Sequence, residues 1–216
     1  MFDISRGEVQ RRILANKQFL SMAEAIRTTS QREAATCRGL LFIQLYGVYE
    51  YSVKSGVQAI LSFIRRDVLA PVNIHHQALT LALNASFDSL SNVGPWKTWE
   101  KRLALVADLE STLPIQSIVD TAFPADGSHF RARQLQTIWT IFGITGSILP
   151  ESRYIGRIDE LVDIRNAIAH GRRTADEIGS GYSFDDMGKR VEDIERISIH
   201  LLTEMEKHYN RGGIRR

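Results

Sequence analysis

The chain has 216 residues, 44% of them hydrophobic and 24% charged, with a formal net charge of +2 at pH 7. At roughly 150 residues per domain this is one large domain or one domain with an insertion, and the composition is that of a globular protein able to bury a core. A disordered chain, a collagen-like repeat and a disulfide scaffold are excluded, and Cys37, the only cysteine, leaves no intrachain disulfide and no multi-cysteine zinc site.

The opening residues Met1-Phe2-Asp3-Ile4-Ser5-Arg6 lack the basic start and apolar run of a signal peptide, so a cytoplasmic location is expected. Ser5-Arg6-Gly7-Glu8 reads as a capping box opening a first helix, whose Val9, Ile13, Leu20 and Ala23 share one face. A second helix is predicted from about Ala34 to Arg66. Its stretch Gly39 to Ile64 could span a bilayer by length, but Gln44, Glu50, Lys54 and Gln58 interrupt it at helical spacing. A buried helix at the centre of a bundle or in a dimer interface is expected, with no membrane contact.

All five prolines fall between Pro71 and Pro150, so 71–150 is expected to be an inserted or elaborated helical region within one 1–216 domain. Within it, helices are predicted at roughly His75–Leu90, Trp96–Leu109 and Ser128–Phe142. Loops at Asn92-Val93-Gly94-Pro95 and Pro124-Ala125-Asp126-Gly127 separate them. The next helix covers about Glu151–His170 and stops at Gly171; a loop with Gly171, Gly179 and Gly181 follows. A last helix starts near Ser183-Phe184-Asp185-Asp186 and carries Met187, Val191, Ile194, Leu201 and Met205 on one face. Strand signals are scarce. The expected fold class is all-α, an up-and-down helical bundle.

The net charge is too mild to announce nucleic acid. The count of 21 Arg against 6 Lys says more, because a planar guanidinium suits phosphate, although a GC-rich genome produces the same bias. The segment with chemical content is Asp159-Glu160-Leu161-Val162-Asp163-Ile164-Arg165-Asn166-Ala167-Ile168-Ala169-His170-Gly171. At 100° per residue, Ile155, Ile158, Leu161, Val162, Ile168 and Ala169 form an apolar arc with Arg165 in its middle. Asp159, Asp163, Asn166 and His170 line a polar stripe beside it. A guanidinium aimed at a core or interface needs a partner, and His170 at a helix C-terminus sits where imidazolium is favoured. The residues alone leave two readings. Either Arg165 pairs with a buried acid such as Glu50 and His170 only caps the helix, or both face a ligand.

Arg165-Asn166-Ala167-Ile168-Ala169-His170-Gly171, with Glu160-Leu161-Val162-Asp163-Ile164 before it, resembles the signature helix of the HEPN (higher eukaryotes and prokaryotes nucleotide-binding) ribonuclease superfamily, in its Arg-x4-His form. The helix containing Leu45-Tyr46-Gly47-Val48-Tyr49-Glu50-Tyr51 is similar to that of its stand-alone prokaryotic toxin and defence branch. The resemblance implies a homodimer paired through the signature helix and an endoribonuclease needing neither metal nor cofactor. In it the RNA 2′-OH attacks the adjacent phosphate, leaving a 2′,3′-cyclic phosphate. Arg165, His170 and Asn166 are the implied catalytic residues; Arg172, Arg173 and Glu50 are candidates for contact with RNA. A toxin or phage-defence role, with an antitoxin or inhibitor protein as partner, is also implied. The alternative is a non-catalytic helical module that binds RNA or protein. In a related branch a tyrosine two positions after the motif histidine is adenylylated; here that position is Arg172, which argues against such a modification.

Of the remaining residues, Glu50 and Lys54 are spaced for an ordinary helical ion pair. His75-His76 point apart on a helix and do not suit a metal. Trp96 and Trp99 could stack bases, but packing beneath the inserted helices is the expected role. Tyr46, Tyr49 and Tyr51 are expected in the core or an interface.

Overall fold

The computed structural model of the chain describes residues 1–67, 69–91, 93–115 and 130–216, with Arg65 described by its backbone alone. Nine α-helices and two short 3-10 turns (Ile26–Thr28 and Pro71–Asn73) account for the regular structure of the described residues; the α-helices are α1 (Phe2–Ala25), α2 (Gln31–Arg66), α3 (His76–Ala82), α4 (Asn84–Asp88), α5 (Pro95–Leu109), α6 (Ala132–Phe142), α7 (Tyr154–Ala169), α8 (Ala175–Ser180) and α9 (Phe184–Asn210). The only β-type pairing among them is an isolated bridge between Ile74 and Arg215, so the all-α expectation holds. No helix among the described residues is long and apolar enough to cross a membrane.

The chain forms two compact units. The first comprises Met1–Gly56, His129–Leu135 and Ser147–Glu204. Here α1 and α2 are joined by a short turn and run back along each other, bringing the Arg12 guanidinium to the Gly47 carbonyl (3.5 Å) and over the Tyr51 ring. The pairs Arg157–Asp193 and Glu160–Arg190 set α7 antiparallel to α9, since one number rises as the other falls. The core draws on Val9 and Ile13 of α1, Leu41, Leu45 and Tyr49 of α2, and Ile158, Leu161 and Val162 of α7. Of the predicted apolar positions of α9, Met187, Val191, Ile194 and Leu201 are buried in this unit, and Met205, which belongs to the second, is buried too. The buried Tyr49 hydroxyl donates to the Phe130 carbonyl at 2.5 Å, which satisfies a group that could not remain unpaired in an apolar core.

The second unit comprises Val57–Ser128, Gln136–Gly146 and Met205–Arg216. Its C-terminal residues are tied in by backbone bonds, His75 N to Ile214 O (2.7 Å) and Arg216 N to Asn73 O (3.0 Å), and by the ion pair Arg215–Asp67. Phe63 stacks on Tyr209, and Trp139 is buried with its Nε1 donating to the Gly146 carbonyl.

Several expected boundaries move. The first helix starts at Phe2, not at a Ser5 cap, because Phe2 buries its ring one turn earlier and turns Ser5 inward. Glu8 then serves Arg11 and Arg12 instead of the cap, and those two guanidiniums hold its carboxyl down to about 2. The single helix expected over His75–Leu90 is broken at Leu83 (φ −109°, ψ 23°) into α3 and α4. Consecutive Leu81, Ala82 and Leu83 are all buried, which one straight helix cannot arrange on a single face. The glycine-bearing loop after Gly171 contains α8, launched by a capping box in which Thr174 and Glu177 exchange hydrogen bonds. Asn92, the loop at Pro124–Gly127 and the expected start of a helix at Ser128 lie outside the described residues.

The tryptophan expectation is overturned. Helix α5 has no buried residue, and Trp96 and Trp99 are exposed rather than packed beneath neighbouring helices.

Candidate functional site

Helix α7 ends in a sequence-dictated stop. His170 is the C-cap, and Gly171 adopts φ +65°, a conformation that costs a side chain-bearing residue energy. The Gly171 N–H reaches the Ile168 carbonyl (3.0 Å) and the Arg172 N–H the Ala167 carbonyl (2.8 Å), the two bonds of a Schellman cap. The cap turns the chain so that Arg172 and Arg173 are exposed just beyond His170, before Thr174 starts α8.

Around Arg165 the expected apolar arc is divided. Ile158, Leu161 and Val162 are buried, whereas Ile155 and Ala169 are exposed and Ile168 is half-buried. The half-buried Arg165 guanidinium lies over the Tyr46 ring, 4.9 Å from its centroid, and its Nη1 donates to Asn166 Oδ1 at 3.0 Å. No carboxylate among the described residues lies within ion-pair distance of it. Glu50 is taken by Lys54 (2.8 Å) as an i,i+4 pair, so the partner that the residues alone suggested for Arg165 is engaged elsewhere. Burial raises the Tyr46 hydroxyl, as does the nearby Glu50, while Arg165 opposes them. Tyr46 is thus a neutral aromatic platform that steadies a cation without neutralising it.

The polar stripe of α7 is used in two parts. Its upper half, Asp159 and Asp163, is bridged by Arg131, which bonds both carboxylates. The lower half is left as Asn166 and His170. The exposed His170 imidazole has no hydrogen-bond partner among the described residues. Of the six predicted site residues, the structure joins Arg165 to Asn166 directly and sets His170 one helical turn beyond Asn166. Arg172 and Arg173 stand exposed on the capping turn, and Glu50 is held on α2.

The opposite side of α7 is fixed by Glu160. Its Oε1 accepts from Arg190 Nη2 (2.7 Å) and the Tyr182 hydroxyl (3.0 Å), and its Oε2 from Arg157 Nη1 (2.7 Å). Burial pushes the Glu160 carboxyl up, but the Arg190 and Arg157 hydrogen bonds outweigh it and hold the group below its usual range. At the end of α8, Gly39 and Gly179 let two helical backbones touch. A Cβ on Gly179 would lie 1.8 Å from the Ala35 carbonyl oxygen, and one on Gly39 would lie 1.9 Å from that of Ala175.

Sequence reasoning missed the roles of Tyr46, Arg131, Glu160 and this crossing. A glycine within an apolar helix is the one local signal available, since it costs about 1 kcal/mol against alanine and marks close backbone approach. Among the described residues no three His, Cys, Asp or Glu side chains are grouped to hold a metal ion.

A family model described as RiboL-PSP-HEPN matches residues 9–207 of the chain. No curated protein and no solved structure shows a detectable match. The family model spans almost the whole sequence, so the chain belongs to the RiboL-PSP-HEPN family.

Proposed function

Starting from that membership, we propose that the protein is a metal-independent endoribonuclease acting as a homodimer. The observation that carries this reading is Arg165. It is a half-buried cation held on Tyr46 and Asn166 with no carboxylate within ion-pair distance among the described residues, and His170, without a hydrogen-bond partner among them, caps the same helix. A cation kept without a counter-charge is suited to an anionic ligand that arrives from outside.

The reaction follows from those groups. His170 in its neutral form accepts the proton of an RNA 2′-OH as that oxygen attacks the adjacent phosphorus. The P–O5′ bond breaks, and the departing 5′-oxygen takes a proton from an imidazolium, giving a 2′,3′-cyclic phosphate and a 5′-OH end. Arg165 stabilises charge on the non-bridging oxygens as the phosphorane forms. Asn166, whose carbonyl oxygen is engaged by Arg165, has its amide N–H groups left for a phosphate oxygen or for His170. Arg172 and Arg173 hold flanking phosphates, with Glu50 beside the cleft. The nucleophile belongs to the substrate, so no metal is required by this chemistry.

One chain supplies one histidine, whereas the step uses a base and an acid. A second copy meeting the first along the exposed face of α7 that carries Ile155 and Ala169 supplies the other. In the cell the activity is that of a toxin or phage-defence effector restrained by a partner protein.

The test is cleavage of RNA by the purified protein in EDTA, comparing wild type with Arg165→Ala and His170→Ala and analysing product ends. Cyclic phosphate ends from wild type, with rates lower by roughly 10²–10⁴-fold in each folded variant, are expected. Equal cleavage by all three proteins, or none by any, overturns the reading.

A further inference from the structure

Helix α5 is packed in the second unit by one narrow face only. Thr98, Leu105, Asp108 and Leu109 are half-buried, and Asp108 accepts from the Ser86 hydroxyl at 2.7 Å. The opposite face carries Trp96, 88% exposed, Trp99, 62%, Leu103, 71%, and Val106, 54%. At helical spacing Trp96 and Trp99 are neighbours, their Cβ atoms about 5–6 Å apart, so their indoles form one surface. The Arg102 guanidinium lies 4.9 Å from the Trp99 ring centroid. Among the described residues Lys97, Lys101 and Arg102 have no carboxylate partner. The charge is segregated along the helix, with Lys97, Lys101 and Arg102 against Glu100 in its first half and Asp108 and Glu110 near its end; at 100° per residue Lys97 and Arg102 flank the indole face, Glu100 lies on it and Lys101 lies away from it.

We infer that the N-terminal half of α5 is a single-stranded RNA contact, with Trp96 and Trp99 stacking two unpaired bases and Lys97 and Arg102, which flank them on either side of the helix, holding the phosphates. The inference rests on RNA being the substrate, and adds a site away from the signature helix residues. Every base offers a π-face, so stacking on two indoles grips RNA with little sequence preference. The charge pattern selects RNA over a protein occupant. Surfaces built to bury apolar side chains against protein are depleted in lysine, whereas here Lys97 and Arg102, without a carboxylate partner among the described residues, border the indoles.

The probe is a short 2′-O-methyl oligouridine, which binds as RNA but cannot be cut because its 2′-oxygens are blocked. Its affinity is read by fluorescence anisotropy of an end label, and stacking by quenching of intrinsic tryptophan emission, against which buried Trp139 is a constant background. The oligomer should quench wild type, while inorganic polyphosphate, which has no bases, should bind without quenching. The Trp96→Ala/Trp99→Ala protein should bind roughly tenfold or more weakly, given about 1–3 kcal/mol per stacked base. The Trp96→Phe/Trp99→Phe protein should retain most of the affinity, and circular dichroism confirms that both variants fold. Unchanged affinity in the alanine variant, with wild type still binding and cutting RNA, overturns the inference alone. Sedimentation of the two proteins then shows whether the face is instead a contact between copies. Absence of both binding and cutting in wild type overturns the ribonuclease reading along with it.

Discussion

Replacing Gly179 by alanine tests whether the contact between α2 and α8 is as close as the backbone positions require. The added Cβ meets Ala35 O at 1.8 Å and Gly39 N at 2.7 Å, and both are backbone atoms that cannot rotate aside. Ordinary contact begins near 3.4 Å, so α8 must withdraw by about 1.5 Å in a close-packed interior. Overpacking of this kind costs roughly 1–3 kcal/mol. Withdrawal also stretches the bond from Arg38 Nε to Gly179 O, 2.9 Å long; a hydrogen bond from a charged group is worth about 1.5–3 kcal/mol. Alanine's better helix propensity returns about 1 kcal/mol. The balance is a destabilisation of about 3 kcal/mol. Urea unfolding should be followed by far-ultraviolet circular dichroism, because Trp96, Trp99 and Trp139 all lie in the second unit and the crossing lies in the first. The control is Gly188→Ala in α9, where nothing lies within 4 Å of the added Cβ; it should stabilise by about 0.5–1 kcal/mol. Opposite signs for the two substitutions are the expected result. A Gly179→Ala midpoint at or above that of wild type would refute the close approach.

Other predictions follow from single groups. Glu160→Ala leaves the largely buried Arg190 without its carboxylate and should cost about 3 kcal/mol, with Glu160→Gln recovering part of it; urea midpoints measure both. Gly171→Ala places a Cβ at φ +65° and should cost about 1 kcal/mol of thermal stability, more than Gly171→Asn does. Burial lowers the His208 pKa from 6.5, with His75 adding to the effect and the Phe142 carbonyl opposing it. The unfolded chain therefore takes up the proton first, so stability is full above about pH 6.5 and falls as pH drops toward the folded value. Tryptophan fluorescence melts between pH 7.5 and 5.5 should show that slope, flattened in His208→Gln.

The pattern-bearing parts of the fold were readable from local spacing alone. Met187, Val191, Ile194, Leu201 and Met205 repeat at the helical period and all face the core, and Gly171 marks the end of α7 because few other residues adopt its φ. The start of α1 was misread because a capping pattern at Ser5 competes with burial of Phe2, a tertiary effect. Arg165, Asn166 and His170 could be singled out because they share one helix. What holds them could not: Tyr46 lies on α2, Arg131 precedes α6, and Arg190 is on α9, all brought to α7 only by the packing of distant segments. Trp96 and Trp99 illustrate the converse. Hydrophobicity predicts that an indole is buried, and only the structure shows that these two are exposed.

The fork of Arg131 across Asp159 and Asp163 has an effect on approach as well as on packing. Two bare carboxylates along α7 would present a negative field to an incoming polyanion over about one Debye length, roughly 8–10 Å at physiological salt. With Arg131 in place the charge of that stretch is halved, and the field along the helix becomes more positive toward Arg165, Arg172 and Arg173. In the proposed ribonuclease, a phosphate chain drifting past is drawn toward the end of α7 that carries His170, so its encounter rate depends on Arg131 as well as on the site residues themselves.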